Sequence, residues 1–122
     1  MPRRAHVFEP GGYYHIFNRG ASRGPVFFTP ANYEYCLRLA KRHRGDCSAA
    51  VIAYCLMPNH YHFLLRQDSD TPLSRFMQLV FNSYVQSINI QEERTGTLFE
   101  GRFKHIRVES DSHLLLLADT SI

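Results

Sequence analysis

Two Thr-Pro dipeptides, Thr29-Pro30 and Thr71-Pro72, do most to limit what this chain can become. Threonine favours the N-cap, and proline suits the first helical turn, where its missing N–H costs no hydrogen bond. Each dipeptide therefore predicts a helix start. After the first, Tyr33, Cys36, Leu37 and Ala40 fall at i, i+3, i+4 and i+7 and predict one apolar face. The basic cluster Lys41-Arg42-His43-Arg44 suits the negative end of the helix dipole, and Gly45 is placed to close the helix in the left-handed conformation. After the second, Leu73, Phe76, Met77, Val80, Tyr84 and Ile88 form a stripe at helical spacing, a core face that the polar stretch 91–96 brings to an end.

The rest of the chain reads as strands. Residues 13–18 follow the turn Pro10-Gly11-Gly12 and precede the loop 19–24. The apolar run 49–56, the turn Met57-Pro58-Asn59 and residues 60–66 predict an antiparallel hairpin. Residues 98–108, aromatic and β-branched with Arg102, Lys104 and Arg107 among them, predict a last strand. Asp111 is expected to cap a helix from Ser112, so that 111–122 form an incomplete terminal helix. The order β-α-β-β-α-β is the split, ferredoxin-like α+β pattern, with an antiparallel sheet and its helices on one face. The uncovered face is where a site is expected. At 122 residues the chain is expected to be a single domain, 1–122, opened by a flexible basic arm over 1–10.

Composition narrows the classes. With 44% hydrophobic and 13% aromatic residues, the chain has the material for a core. No run reaches the roughly 20 apolar residues of a membrane span, and Met1-Pro2-Arg3-Arg4, which lacks an apolar stretch, is not expected to open a secretory signal. Cys36, Cys47 and Cys55 contain no CxxC pair and read as reduced thiols of a cytoplasmic protein. The formal charge of +3 is uneven. Residues 1–50 set Arg3, Arg4, Arg19, Arg23, Arg38, Lys41, Arg42 and Arg44 against Glu9, Glu34 and Asp46, whereas the remainder is mildly acidic. A basic half admits a polyanionic partner, although helix termination already accounts for the 41–44 cluster.

The candidate chemistry is His60-Tyr61-His62. Alternate residues of a strand share a face, and the apolar set Tyr61, Phe63 and Leu65 belongs beneath the helices. Both imidazoles are thereby expected on the open face, where two neutral nitrogens suit a divalent cation. A complete site needs a third donor from another element.

Four ordered segments extend this reading: Pro2-Arg3-Arg4 with Gly12-Tyr13-Tyr14-His15-Ile16-Phe17-Asn18-Arg19-Gly20; Tyr54-Cys55-Leu56-Met57-Pro58-Asn59-His60-Tyr61-His62-Phe63-Leu64-Leu65; Gly96-Thr97-Leu98-Phe99-Glu100-Gly101-Arg102-Phe103-Lys104; and Asp111 with the leucines 114–117. Together they resemble the IS200-like transposases, the single-tyrosine HUH family, and especially its repeat-associated branch. The resemblance implies an enzyme that cuts and rejoins single-stranded or hairpin DNA as a homodimer. It also implies Mg²⁺ or Mn²⁺ on the histidine pair, here His60 and His62, and a tyrosine nucleophile that forms a phosphotyrosine intermediate. The family's basic positions correspond to Arg3, Arg4, Arg19, Arg23, Arg102 and Lys104, with Phe17, Phe27, Phe28, Phe99 and Phe103 interleaved as candidates for base stacking.

One departure matters. The terminal segment Leu117-Ala118-Asp119-Thr120-Ser121-Ile122 places Thr120 where the family has its tyrosine. A threonine hydroxyl is a poorer nucleophile than a phenol of pKa about 10, and a shorter one. The expectation is a transposase domain that keeps its fold and DNA surface but is defective in cleavage. Two alternatives stand beside it: a non-catalytic module that binds DNA hairpins, and a small ferredoxin-like metal-dependent phosphoesterase.

Overall fold

Alternation along one strand divides this molecule into a core side and an open side. The computed structural model describes residues 8–109. In chain order its elements are β1 (Tyr13–Arg19), a short 3-10 turn (Ala21–Arg23), α1 (Pro30–Asp46), β2 (Ala49–Met57), β3 (His60–Gln67), α2 (Leu73–Gln91) and β4 (Lys104–Val108). The sheet order is β2-β3-β1-β4, antiparallel throughout, as the ferredoxin-like topology requires. Tyr61, Phe63 and Leu65 of β3 join Tyr14 and Ile16 of β1 in one buried cluster. Cys36, Leu39 and Ala40 of α1 and the whole expected stripe of α2 complete that cluster, so both helices cover the same sheet face. Among the described residues no helix is long and apolar enough to cross a membrane.

Several expected boundaries shift, each for a packing reason. Helix α1 runs through Gly45 to Asp46, and the left-handed residue is Ser48 (φ 50°), with Cys47 delivered into the core on the way. Its inward face carries Leu39 rather than Leu37, together with Asn32. The Asn32 carboxamide accepts from the backbone N–H groups of Phe28 and Thr29, and donates to Gln91 at the end of α2. Helix α2 begins at Leu73 with Pro72, not Thr71, at the cap position. Its first N–H is satisfied from outside the helix, because Gln67 Oε1 accepts from Leu73 N at 3.1 Å while Gln67 Nε2 donates to Ser69 O at 2.9 Å. Gln67 is fully buried, so Gln67→Ala orphans the buried N–H of Leu73 and the partly buried carbonyl of Ser69. A loss of about 2 kcal/mol in urea unfolding is the expected outcome, with the cleft chemistry unaffected.

The last strand is shorter than the expected 98–108. Leu98 and Phe99 keep only an isolated bridge to Gly20, just after β1, and bury their side chains in the core, where Phe99 meets Tyr61 and Phe81 edge-on, and Gly101 (φ 133°) redirects the chain before β4. The arm expected over 1–10 is described only from Phe8. Phe8 packs its ring on Tyr14 and His105, and Glu9 pairs with Arg107. Arg3, Arg4, Thr120 and the expected terminal helix over 111–122 lie outside the described residues. Cys36, Cys47 and Cys55 are free thiols; burial pushes Cys36 up to about 12, which keeps it inert.

Candidate metal and nucleic-acid cleft

The same pleat that buries Phe63 turns His60 and His62 outward, half-buried on the uncovered face. Register with β1 then sets their neighbours: Phe17 lies opposite His62 and Arg19 opposite His60. Leu64, which shares this face, is nonetheless fully buried. At the histidine pair a cleft of about 560 Å³ opens, lined by Phe17, Arg19, Arg23, His60, His62, Glu100 and Lys104 together with Asn18 and Asn59.

The turn that starts β3 is tied to the segment leaving β1. Pro58 O accepts from the N–H groups of Val26 and Phe27, and Asn59 O accepts from Gly20 N. A side chain at position 20 is impossible, since its Cβ would stand 2.0 Å from Gly24 O. The glycine of the Asn18-Arg19-Gly20 segment is thus what permits the tight loop that sets Arg23 at the cleft.

The two rings lie with centroids 5.2 Å apart and planes at 86°. Each is held by its Nδ1 edge. His60 Nδ1 is 2.8 Å from Asn59 Oδ1, so it carries the proton and donates. His62 Nδ1 is 2.8 Å from His15 Nε2, and one of that pair carries the shared proton. Burial first, and the neighbouring His60 second, lower the pKa of His62 and favour its neutral, ligating form. Imidazoles fixed at one nitrogen by a polar partner are the form that metal-binding histidines take, so the residues present fit a divalent cation as two ligands. Among the described residues no group of three or more His, Cys, Asp and Glu is gathered for a metal.

Charge collects around the pair. Arg19 Nε donates to Glu100 Oε1 at 2.8 Å, and this hydrogen bond holds the Glu100 carboxyl below its usual range. Of the expected basic positions, Arg19, Arg23 and Lys104 meet in the cleft. Arg102 does not: it lines a separate depression with Phe103, Pro72, Ser74, Arg75 and Gln78 at the start of α2. Of the expected stacking residues, Phe17 lines the cleft, whereas Phe27 and Phe99 are core. Sequence reasoning missed His15, Asn59 and Glu100. Strand alternation put His15 on the face of Phe17, but only the β1–β3 register reveals its contact with His62.

No tyrosine among the described residues lines this cleft, and all seven tyrosines of the chain fall within them. Tyr61 and Tyr84 are buried, and burial raises both phenols above their ordinary value. Tyr84 also donates its hydroxyl to Val26 O at 2.6 Å.

The topology and the outward histidine pair together define a ferredoxin-like domain with a polar cleft on its open face. The chain belongs to the IS200-like transposase family, whose sequence model matches residues 10–117. Among solved structures it is similar to a REP-associated tyrosine transposase bound to a REP hairpin, at a TM-score of 0.76 and 12% identity, over 99% of this chain and 70% of that one. It is also similar to a candidate transposase from Deinococcus radiodurans R1, at a TM-score of 0.64 and 13% identity, over 98% of this chain and 95% of that one. At such identities the likeness is one of fold. No curated protein matches the sequence.

Proposed function

We infer that this chain is a DNA-binding transposase domain that docks single-stranded or hairpin DNA in the His60–His62 cleft, as one half of a homodimer in the cytoplasm. The observation that carries this reading is the gathering of two oriented imidazoles with Arg19, Arg23 and Lys104 around one cleft. His60 and His62 would hold Mg²⁺ or Mn²⁺, which when bound polarises a phosphate and offsets charge on its oxygens. Arg23 and Lys104 attract the nucleotide backbone and set its register, and Phe17 offers a ring on which an unpaired base can stack. Strand cleavage needs a nucleophile at the phosphate. By the resemblance of 117–122, Thr120 takes the place of the family's tyrosine, and no tyrosine among the described residues lines the cleft. The chain is therefore read as binding DNA without cutting it.

Hairpin DNA incubated with the protein and Mn²⁺ is expected to bind and to give no adduct on a denaturing gel; a covalent band would refute the cleavage defect. Lys104→Ala is expected to weaken binding uniformly across hairpin sequences and to reduce the slope of log K against log salt by about 1. Arg102→Ala, distant from the cleft, is expected to leave that slope nearer its original value. Fluorescence anisotropy over a salt series measures both, and equal effects of the two substitutions would move the DNA path away from the histidine cleft.

A further inference from the structure

His15 is set where it can decide which nitrogen of His62 is available. In the β1–β3 register it lies opposite Leu64, one diagonal step from His62 on the same face. Its ring forms a compact triangle with two others, with centroids 4.8 Å from Phe17 and 5.0 Å from His62, at interplanar angles of 31° and 22°, while Phe17 and His62 lie 5.8 Å apart. The 2.8 Å approach of His15 Nε2 to His62 Nδ1 admits one proton between them, in one of two directions. If His15 donates, the neutral His62 ring carries its own proton on Nε2 and has no lone pair left there. If His62 donates, its Nε2 lone pair is free. The neighbouring ligand shows which direction matches: Asn59 Oδ1 can only accept, so His60 presents Nε2.

The geometry points to His15 as a positioning residue that accepts the proton of His62 Nδ1–H and so holds His62 in the tautomer and orientation whose Nε2 serves a divalent cation. It does for His62 what Asn59 does for His60, and it rests on the reading that this pair binds a cation. Phe17 packs against both rings, 4.8 Å from His15 and 5.8 Å from His62, and so restrains the accepting ring beside its donor.

The test uses the intact chain, with ¹⁵N NMR of the His62 ring in metal-free protein and calorimetric titration with Mn²⁺. In the unsubstituted chain His62 is expected to be protonated at Nδ1, and a proton on Nε2 overturns the assignment without need of any variant. His15→Phe keeps the stack and removes the acceptor. It is expected to shift His62 toward the Nε2–H tautomer and to weaken Mn²⁺ binding about 10–100-fold. His15→Gln, which places an amide oxygen near the lost nitrogen, is expected to restore both. Unchanged Mn²⁺ affinity in His15→Phe, beside a His62→Ala variant that no longer binds, overturns the role of His15 and leaves the cation reading standing. If the unsubstituted chain and His62→Ala take up Mn²⁺ equally, the cation reading fails. The tautomer then still decides whether His15 positions His62: its loss in His15→Phe supports the role and its retention refutes it.

Discussion

Replacing His60 and His62 together by alanine is expected to abolish specific Mn²⁺ uptake while leaving the thermal melt nearly where it was. Removing a residue that merely orients a ligand costs roughly 10–100-fold in metal affinity, and removing both ligands costs more than that. Stability is spared because both rings stand on the open face and neither belongs to the buried cluster. Each ring gives up one partly exposed hydrogen bond, so the total loss is expected to stay near ~1 kcal/mol. Calorimetric titration and circular dichroism, run on the same samples, separate the two effects. Retained uptake in the double variant would place the cation elsewhere, and a collapsed melt would show that the pair is structural.

The opposite result is expected one residue away. Phe63 lies between the two outward positions His62 and Leu64 but points into the core, fully buried, with ring centroids 5.6 Å from Tyr61 and 6.2 Å from Phe81. Phe63→Ala leaves a cavity among these rings and is expected to cost about 3–5 kcal/mol, a large part of the stability of a domain this size. Denaturant unfolding measures it. A loss under about 1 kcal/mol would mean that the two faces of β3 are assigned the wrong way round.

That division was legible because Tyr61, Phe63 and Leu65 of β3 alternate with His60 and His62, and a strand period of two then allows only one assignment of faces, although Leu64 is buried too. The stripe of α2 was legible for the same reason at helical spacing: every residue expected in it is buried. Helix α1 was less transparent. Its inward line is Asn32, Cys36, Leu39 and Ala40, and the polar residue that heads it, recruited to bridge the two helix ends, conceals the apolar phase and makes Leu37 look the better choice. Leu98 and Phe99 resemble strand residues because aromatic and branched side chains suit a sheet and a core equally well. Pro72 at the cap position reflects help from Gln67, which arrives from another element.

Within the cleft the same limit applies. The histidine pair is local and could be read from neighbouring letters, and Arg19, Arg23 and Lys104 were found as charges. Their convergence, the separation of Arg102 from them, and the contact of His15 with His62 all depend on pairing between distant segments. Glu100 hid inside a segment whose glycines and basic residues drew attention first, and its bond to Arg19 spans from the end of β1 to the loop before β4.

Mounting the reactive side chains outside the hydrophobic interior separates persistence from performance. A substitution among the cleft side chains can therefore change what the domain does while the buried cluster that folds it is left untouched.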